Sequence, residues 1–163
     1  ICDNWQAVLT KANDYYYTDT EIIVEEFIDG TLYGVPFINS IDGSPIIATP
    51  YYHISDKKGN LISNGQKRRT ESGMQSYVSH DKSINQKLID LSTNFIRNIQ
   101  PCDYARIDFI VERETNIPYF LEANAMMNLG IHAAVIQSFL DIGFKDYDDI
   151  ILHILKPGFA KIK

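Results

Sequence analysis

Two pairs of polar residues have types and spacing that could bind a metal ion and a phosphate. Arg106 and Asp108 are separated by one residue, and so are Glu122 and Asn124. Both pairs lie in apolar stretches that predict the two strands of a hairpin over residues 104–124. Because strand side chains alternate between faces, the two members of each pair share one face. If Asp108 lies opposite Glu122, all four side chains lie on one surface.

Two carboxylates on opposite residues of a hairpin lie about 5 Å apart and repel each other unless a cation lies between them. Carboxylate and amide oxygens suit Mg²⁺, which takes its remaining ligands from water and substrate phosphates. Arg106 beside them would offer a planar fork to a phosphoryl group. The residues therefore predict a magnesium-nucleotide site. The alternative is that Asp108 and Glu122 are solvent-face residues, each paired with its own Lys or Arg.

The elements that must position these residues are those of an α+β domain. Apolar residues at helical spacing predict four helices: from Asp3, as N-cap, to residues 17–19, then over residues 81–98, 131–142 and 146–155, with Pro157 as a stop. Apolar and β-branched runs predict the other strands: residues 21–28, 32–38, 46–54 and 61–62, with turns at 42–43 and 56–60. The polar residues 63–83 are predicted as a long loop. The predicted fold is an antiparallel sheet with helices mainly on one face, forming one unit over residues 1–163.

Composition narrows the class of protein. The chain has 163 residues, 45% of them hydrophobic, which is enough for one domain with a buried core. A net charge of −6 argues against a nucleic-acid partner. No apolar run approaches the roughly 18 to 20 residues of a membrane span. Cys2 and Cys102 lack metal-ligand spacing, so we expect a protein of the cytoplasm with no membrane partner.

Three segments resemble ATP-grasp ligases of the D-alanine–D-alanine ligase type. Residues 24–30 read Val-Glu-Glu-Phe-Ile-Asp-Gly, residues 104–109 read Tyr-Ala-Arg-Ile-Asp-Phe, and residues 119–124 read Tyr-Phe-Leu-Glu-Ala-Asn. Their order and spacing are similar to the family pattern, and the resemblance covers nearly the whole chain. It implies the carboxy-terminal, ATP-binding part of an ATP-grasp domain, incomplete at its amino-terminal side.

The resemblance also implies roles for the hairpin residues. Asp108, Glu122 and Asn124 would hold two Mg²⁺ ions, or Mn²⁺, that bridge the phosphates of ATP. Arg106 would stabilise the transferring phosphoryl group.

A hinge strand at residues 21–28 is implied to bind the adenine base. The backbone carbonyl of Glu26 and the N–H of Ile28 would contact the base, with Glu25 and Phe27 beside them. Leu121 would pack against the adenine ring. The alternative for the apolar members of this set is an ordinary place in the core.

The long loop is implied to close over the phosphates and to contribute a lysine, for which Lys67 is the candidate by spacing. The alternative is that Lys67, Arg68 and Arg69 form a solvated basic loop.

The activity implied is an ATP-dependent ligase that joins a small carboxylate to an amine through an acyl phosphate. The amino-terminal domains of the family would precede Ile1, so we expect the isolated chain to be inactive. The rival hypotheses are a non-catalytic nucleotide-binding or interaction module that keeps the fold, and a structural domain without a ligand.

Two positions depart from the family pattern. Ala133 stands where the family has a serine for the acceptor carboxylate, and its side chain has no donor. His132 and Asn128 are the candidates to compensate. Leu32 stands where the family has an acid for the ribose. These departures weigh against D-alanine as the substrate.

Overall fold

The computed structural model describes residues 1–15, 21–54, 75–99 and 101–161. These residues form four helices and six strands: α1 (Trp5–Asn13), β1 (Gly30–Asn39), β2 (Pro45–Ile47), β3 (Tyr51–Ile54), β4 (Gln75–Val78), α2 (Lys82–Asn98), β5 (Tyr104–Glu112), β6 (Pro118–Asn124), α3 (Ala134–Asp141) and α4 (Tyr147–Lys161). None of the helices within this described part is both long and apolar enough to cross a membrane.

The strands form one antiparallel sheet in the order β4-β3-β1-β5-β6, with β2 also paired to β1. Strand β1 is central and pairs with β5 over nine residues, from Gly30 opposite Glu112 to Ile38 opposite Tyr104. The last six residues of β1 are buried, as expected for a strand covered on both faces. The predicted α+β class with an antiparallel sheet is confirmed.

Helices cover both faces of this sheet. Val35 and Phe37 of β1 pack with Leu88 of α2 in one cluster of buried residues. Ile38 of β1 packs with residues of α3 and α4, including Phe139, in a second cluster. Because neighbouring strand residues point to opposite faces, the two clusters lie on opposite sides of β1. Two helices thus share one face and α2 covers the other, which refines the expectation of helices mainly on one face.

Several predicted elements are confirmed. The helix predicted over residues 81–98 is α2, and its N-cap is Asp81, whose side chain accepts hydrogen bonds from the N–H groups of Ser83 and Ile84. The β1–β2 hairpin turns at Gly43, whose φ of 85° is in the left-handed region that glycine tolerates. Strand β1 matches its predicted range within two residues, and β5 and β6 form the hairpin predicted over residues 104–124.

The predicted strand at residues 21–28 is wrong, because residues 21–29 form no regular element. Its apolar side chains remain accessible, with Ile23 83% and Phe27 47% exposed. A strand is stabilised by hydrogen bonds to a neighbouring strand. Within the described residues this segment has no strand partner, so its β-branched composition alone does not make it a strand.

Other boundaries also differ from prediction. Helix α1 ends at Asn13 rather than at residues 17–19. The N-cap of α1 is Asn4, not Asp3, because the Asn4 side chain accepts the hydrogen bond from Ala7 N–H. Residues 46–54 divide between β2 and β3, and the predicted loop contains β4. Pro157 lies inside α4 rather than ending it, since a proline removes one helix hydrogen bond without forbidding the next turn. The predicted turn at 56–60, the strand at 61–62 and loop residues 63–74 lie outside the described residues.

Candidate metal and nucleotide site

The β5–β6 hairpin brings the four predicted polar residues together. Asp108 lies directly opposite Glu122, and Arg106 lies directly opposite Asn124. Opposite residues of an antiparallel pair project to the same face, so these side chains form one surface patch. The register on which the metal prediction depends is therefore confirmed.

A β-bulge at Leu121 separates this patch from the rest of β6. Asp108 pairs with Glu122, but the next residue, Phe109, pairs with Phe120, so Leu121 is the extra residue. Phe120 packs on Phe95 of α2, with ring centroids 4.8 Å apart, and therefore lies on the opposite face from Glu122. The sequence spacing did not predict this bulge. Bulges commonly re-aim side chains beside functional sites.

Arg106 and Asp108 form a two-pronged ion pair. Arg106 Nε donates to Asp108 Oδ1 at 2.5 Å and Nη2 donates to Oδ2 at 2.6 Å. The two side chains are only 18% and 17% exposed. Although burial opposes the charged form, the Asp108 hydrogen bonds and the neighbouring Tyr51 raise the pKa of Arg106 above its ordinary value. The arginine is thus a fixed positive charge at the edge of the patch.

Tyr51 is a member of the site that the sequence reasoning missed. It lies on β3, two strands away from β5, and is 2% exposed. Burial raises the pKa of Tyr51 to about 12, with the Arg106 charge acting in the opposite direction. The phenol is therefore neutral at physiological pH. The available signal was Gly34, a glycine in the central strand, which leaves room for a large side chain from a neighbouring strand.

The donor set fits a hard divalent cation. Arg106 balances one carboxylate, whereas Glu122 forms no salt bridge with any residue in the described part of the chain. The Asn124 side-chain oxygen accepts a hydrogen bond from Met126 N–H at 3.0 Å, which fixes its orientation and leaves its second lone pair. Among the described residues, no three or more His, Cys, Asp or Glu side chains lie together so that they could hold a metal ion. The predicted set has two acids and one amide.

The alternative of two separately paired carboxylates is met at Asp108 only. Arg106 is its partner, on the same strand and the same face. The Glu122 charge has no such partner within the described ranges, so the patch retains an uncompensated acid next to a compensated one.

None of the four patch residues lines the cavity that borders the predicted hinge residues. Glu25, Glu26 and Phe27 are exposed and line a cavity of about 430 Å³ that α1 borders on its other side. Ile28 is partly buried and does not line that cavity. The segment is joined to the hairpin at Asp29, whose carbonyl accepts a hydrogen bond from Arg113 N–H at 3.0 Å.

Two other predicted residues have different outcomes. Leu121, the bulge residue, is 48% exposed, so it is not an ordinary core residue. Lys67 lies outside the described residues, as do Arg68 and Arg69.

The position of Ala133 has a structural consequence. Ala133 is the N-cap of α3 and makes no side-chain capping hydrogen bond. Serine is among the preferred residues at an N-cap, because its hydroxyl accepts from the first helical N–H groups. His132 is exposed, and the Asn128 side chain accepts a hydrogen bond from Gly130 N–H at 2.9 Å.

Leu32, the second position that departs from the family pattern, lies opposite Ile110 in the sheet.

Comparisons with known proteins match most of this chain. A family model described as D-ala D-ala ligase C-terminus matches residues 1–156. The chain is 24% identical over 142 residues to a D-alanine–D-alanine ligase of Herminiimonas arsenicoxydans, covering 87% of this chain and 42% of that protein. It is 25% identical over 145 residues to the same-named ligase of Janthinobacterium sp. (strain Marseille), covering 89% and 44%. The chain therefore spans less than half the length of these relatives.

Solved structures show the same fold. The D-alanine–D-alanine ligase from Bacillus anthracis complexed with ATP matches with a TM-score of 0.69 and 13% identity, over 96% of this chain and 47% of that one. The VanG D-Ala:D-Ser ligase from Enterococcus faecalis matches with a TM-score of 0.69 and 18% identity, over 91% and 42%.

Proposed function

Because this chain belongs to the D-ala D-ala ligase C-terminus family, we propose that it is the ATP- and magnesium-binding part of an ATP-dependent carboxylate–amine ligase. The observation that carries the proposal is the hairpin register, in which Asp108 opposes Glu122 and Arg106 opposes Asn124. An acid, an acid and an amide facing one surface beside a fixed arginine form a donor set for Mg²⁺ and phosphate.

In this proposal Asp108, Glu122 and Asn124 hold two magnesium ions, and manganese can take their place. Bound there, the metal neutralises negative charge on the ATP phosphates. Arg106 contributes its remaining N–H groups to the oxygens of the γ-phosphoryl group as that group leaves ADP. The two hydrogen bonds to Asp108 hold the guanidinium of Arg106 in one orientation. The positive charge of Arg106 therefore needs no reorientation during phosphoryl transfer.

The reaction has two steps. A carboxylate oxygen of the first substrate attacks the γ-phosphorus, the bond to ADP breaks, and an acyl phosphate forms. The amine of the second substrate then attacks the acyl carbon, phosphate leaves, and the amine loses a proton to give an amide. The residues of this chain act on the first step by positioning and charge neutralisation.

Nucleotide contacts complete the proposal. The Glu26 carbonyl and the Ile28 N–H contact the adenine, with Glu25 and Phe27 beside them. Leu121 packs on the ring, which its bulged, half-exposed position supports.

Lys67 is proposed to contact the phosphates from the long loop. We also propose a cytoplasmic location, as the composition predicts.

The acceptor is the least constrained part of the proposal. Relatives are named for D-alanine, and one structural neighbour is named as a D-Ala:D-Ser ligase. The Ala133 N-cap lacks a hydroxyl for an acceptor carboxylate, so we propose an amine acceptor held by other groups. The complete reaction would also need segments that the longer relatives have and this chain lacks.

Titration of Mg-ATP into the chain, measured by calorimetry, tests the proposal. We expect Asp108→Asn and Glu122→Gln each to weaken Mg-ATP binding by about tenfold or more, because each removes a charged ligand. Glu114→Gln removes an exposed acid from the turn of the same hairpin and should leave the affinity unchanged. A wild-type chain that binds no nucleotide, or binds it equally without metal, would contradict the proposal.

Catalysis is separated from simple binding by a second assay. Amino acids and dipeptides are supplied with Mg-ATP, and ADP release and amide product are measured by mass spectrometry. We expect the 163-residue chain alone to bind Mg-ATP without turnover, and a polypeptide that also contains a relative's amino-terminal part to release ADP. Binding without turnover in both polypeptides would favour the non-catalytic nucleotide-binding module.

A further inference from the structure

Gly34 in the central strand leaves a space above β1, between β3 and β5. Gly34 of β1 lies opposite Tyr51 on one side and opposite Asp108 on the other. A Cβ atom at this position would lie 2.6 Å from Tyr51 Cζ and 2.8 Å from its hydroxyl oxygen. The tyrosine ring therefore occupies the space above β1 that any other residue at position 34 would fill.

Packing contacts hold the Tyr51 ring in this space. It belongs to the buried cluster formed with α3 and α4, and its ring meets the His53 ring edge-on at a centroid distance of 5.2 Å. Its hydroxyl lies above Gly34, and Asp108 and Arg106 of β5 project to the same face of the sheet. A phenylalanine would fill the same volume, so packing alone gives no reason for a buried hydroxyl, which needs a partner.

Arg106 has donors to spare for such a partner. Its Nε and one Nη group donate to Asp108, which leaves further N–H groups on a side chain that is 18% exposed. A guanidinium has five N–H donors in a fixed plane, so a second acceptor outside the Asp108 pair fixes the rotation of that plane.

We propose that Tyr51 is a positioning residue whose hydroxyl accepts a hydrogen bond from Arg106 and holds the guanidinium in the plane of Asp108. Gly34 is the gap that permits this contact. The effect on phosphate binding rests on the proposed function, whereas the orientation of Arg106 in the free chain does not.

The first test measures Arg106 in the absence of nucleotide and metal. In ¹⁵N-labelled chain, Arg106→Lys identifies the Arg106 Nε–H resonance. We expect Tyr51→Phe to speed its exchange with water by about tenfold, because one hydrogen bond to a charged group is lost. Tyr52→Phe is the matched control, since Tyr52 is adjacent but lies on the other face, against Tyr33 and Tyr77. An exchange rate in Tyr51→Phe equal to that in Tyr52→Phe would overturn the inference.

The second test measures binding of Mn-ATP to the chain by electron paramagnetic resonance of Mn²⁺. We expect Tyr51→Phe to weaken binding by about fivefold in the wild-type background and by less than about twofold in the Arg106→Met background. An equal loss in both backgrounds, or no loss in either while wild type binds, would overturn the positioning role. If wild type itself binds no Mn-ATP, the proposed function fails first, and the phosphate-binding role of Tyr51 fails with it.

Discussion

The β5–β6 hairpin and the segment at residues 21–29 have similar compositions but different structures. Both are rich in apolar and β-branched residues, and both predict strands. Ile107 in β5 is fully buried between neighbouring strands, whereas Ile23 is 83% exposed and has no strand partner among the described residues. Strand composition becomes strand structure only where a second strand supplies hydrogen bonds and a helix covers the face.

The comparison bears on function because the two regions are proposed to bind different parts of one nucleotide. The hairpin holds its polar groups through register, which the whole sheet fixes. The other segment is joined to the hairpin through Asp29 and Arg113, at the opposite end of β5 from Arg106. The proposed phosphate-binding side is therefore fixed by strand pairing, whereas the proposed base-binding side forms no regular element.

The largest expected difference is in core truncation. Ile107→Ala should lower the free energy of unfolding by about 2 to 5 kcal/mol, because it leaves a cavity between the central strands and α2. Ile23→Ala should change it by less than about 0.5 kcal/mol, since the side chain is exposed. Urea unfolding measures both. Similar losses from the two variants would show that residues 21–29 are as well packed as the hairpin.

An intermediate effect is expected where the two regions join. A Cβ at Gly30 would lie 2.4 Å from the Val111 carbonyl oxygen, so Gly30→Ala must displace backbone. We expect a loss of about 1 to 3 kcal/mol, measured by thermal unfolding. Gly158→Ala is the control, because nothing lies within 4 Å and alanine favours the helix by up to about 1 kcal/mol. A neutral Gly30→Ala would indicate that the junction rearranges freely.

The smallest expected effect concerns the ion pair between the two regions. Asp29 and Arg113 are 3.2 Å apart, with side chains 63% and 55% exposed. Asp29→Asn should lower the free energy of unfolding much less than Gly30→Ala does, because both side chains are exposed to water, and high salt should reduce the loss further. Unfolding at low and high salt measures it, with Glu114→Gln as the control in the same turn. A loss as large as that of Gly30→Ala, or one insensitive to salt, would mean that the pair is shielded from water.

The sequence was sufficient for elements whose stabilising contacts repeat along the chain. Helix α2 was predicted from the helical spacing of its apolar residues, because a buried stripe is a local pattern. Alternation predicted that Arg106 shares a face with Asp108, and Glu122 with Asn124. The pairing of Asp108 with Glu122 was a condition of the metal prediction, and the structure meets it.

The features that escaped prediction depend on distant neighbours. Strand β4 is polar and short, and it exists because β3 offers it hydrogen bonds. The contribution of Tyr51 to the site requires Gly34 on another strand, and sequence spacing does not reveal that proximity. Residues 21–29 have the composition of a strand but no strand partner among the described residues, so they do not form one.

The extra residue in β6 shifts the frame in which its side chains are counted. Phe120 and Glu122 are two positions apart and would point the same way in a regular strand, but their partners Phe109 and Asp108 are adjacent and point apart. One strand can thus anchor an aromatic ring beneath the sheet and present an acid above it without a longer chain. Deleting or inserting a single residue between these two positions would change which side of the molecule carries the Glu122 carboxylate relative to its aromatic anchor.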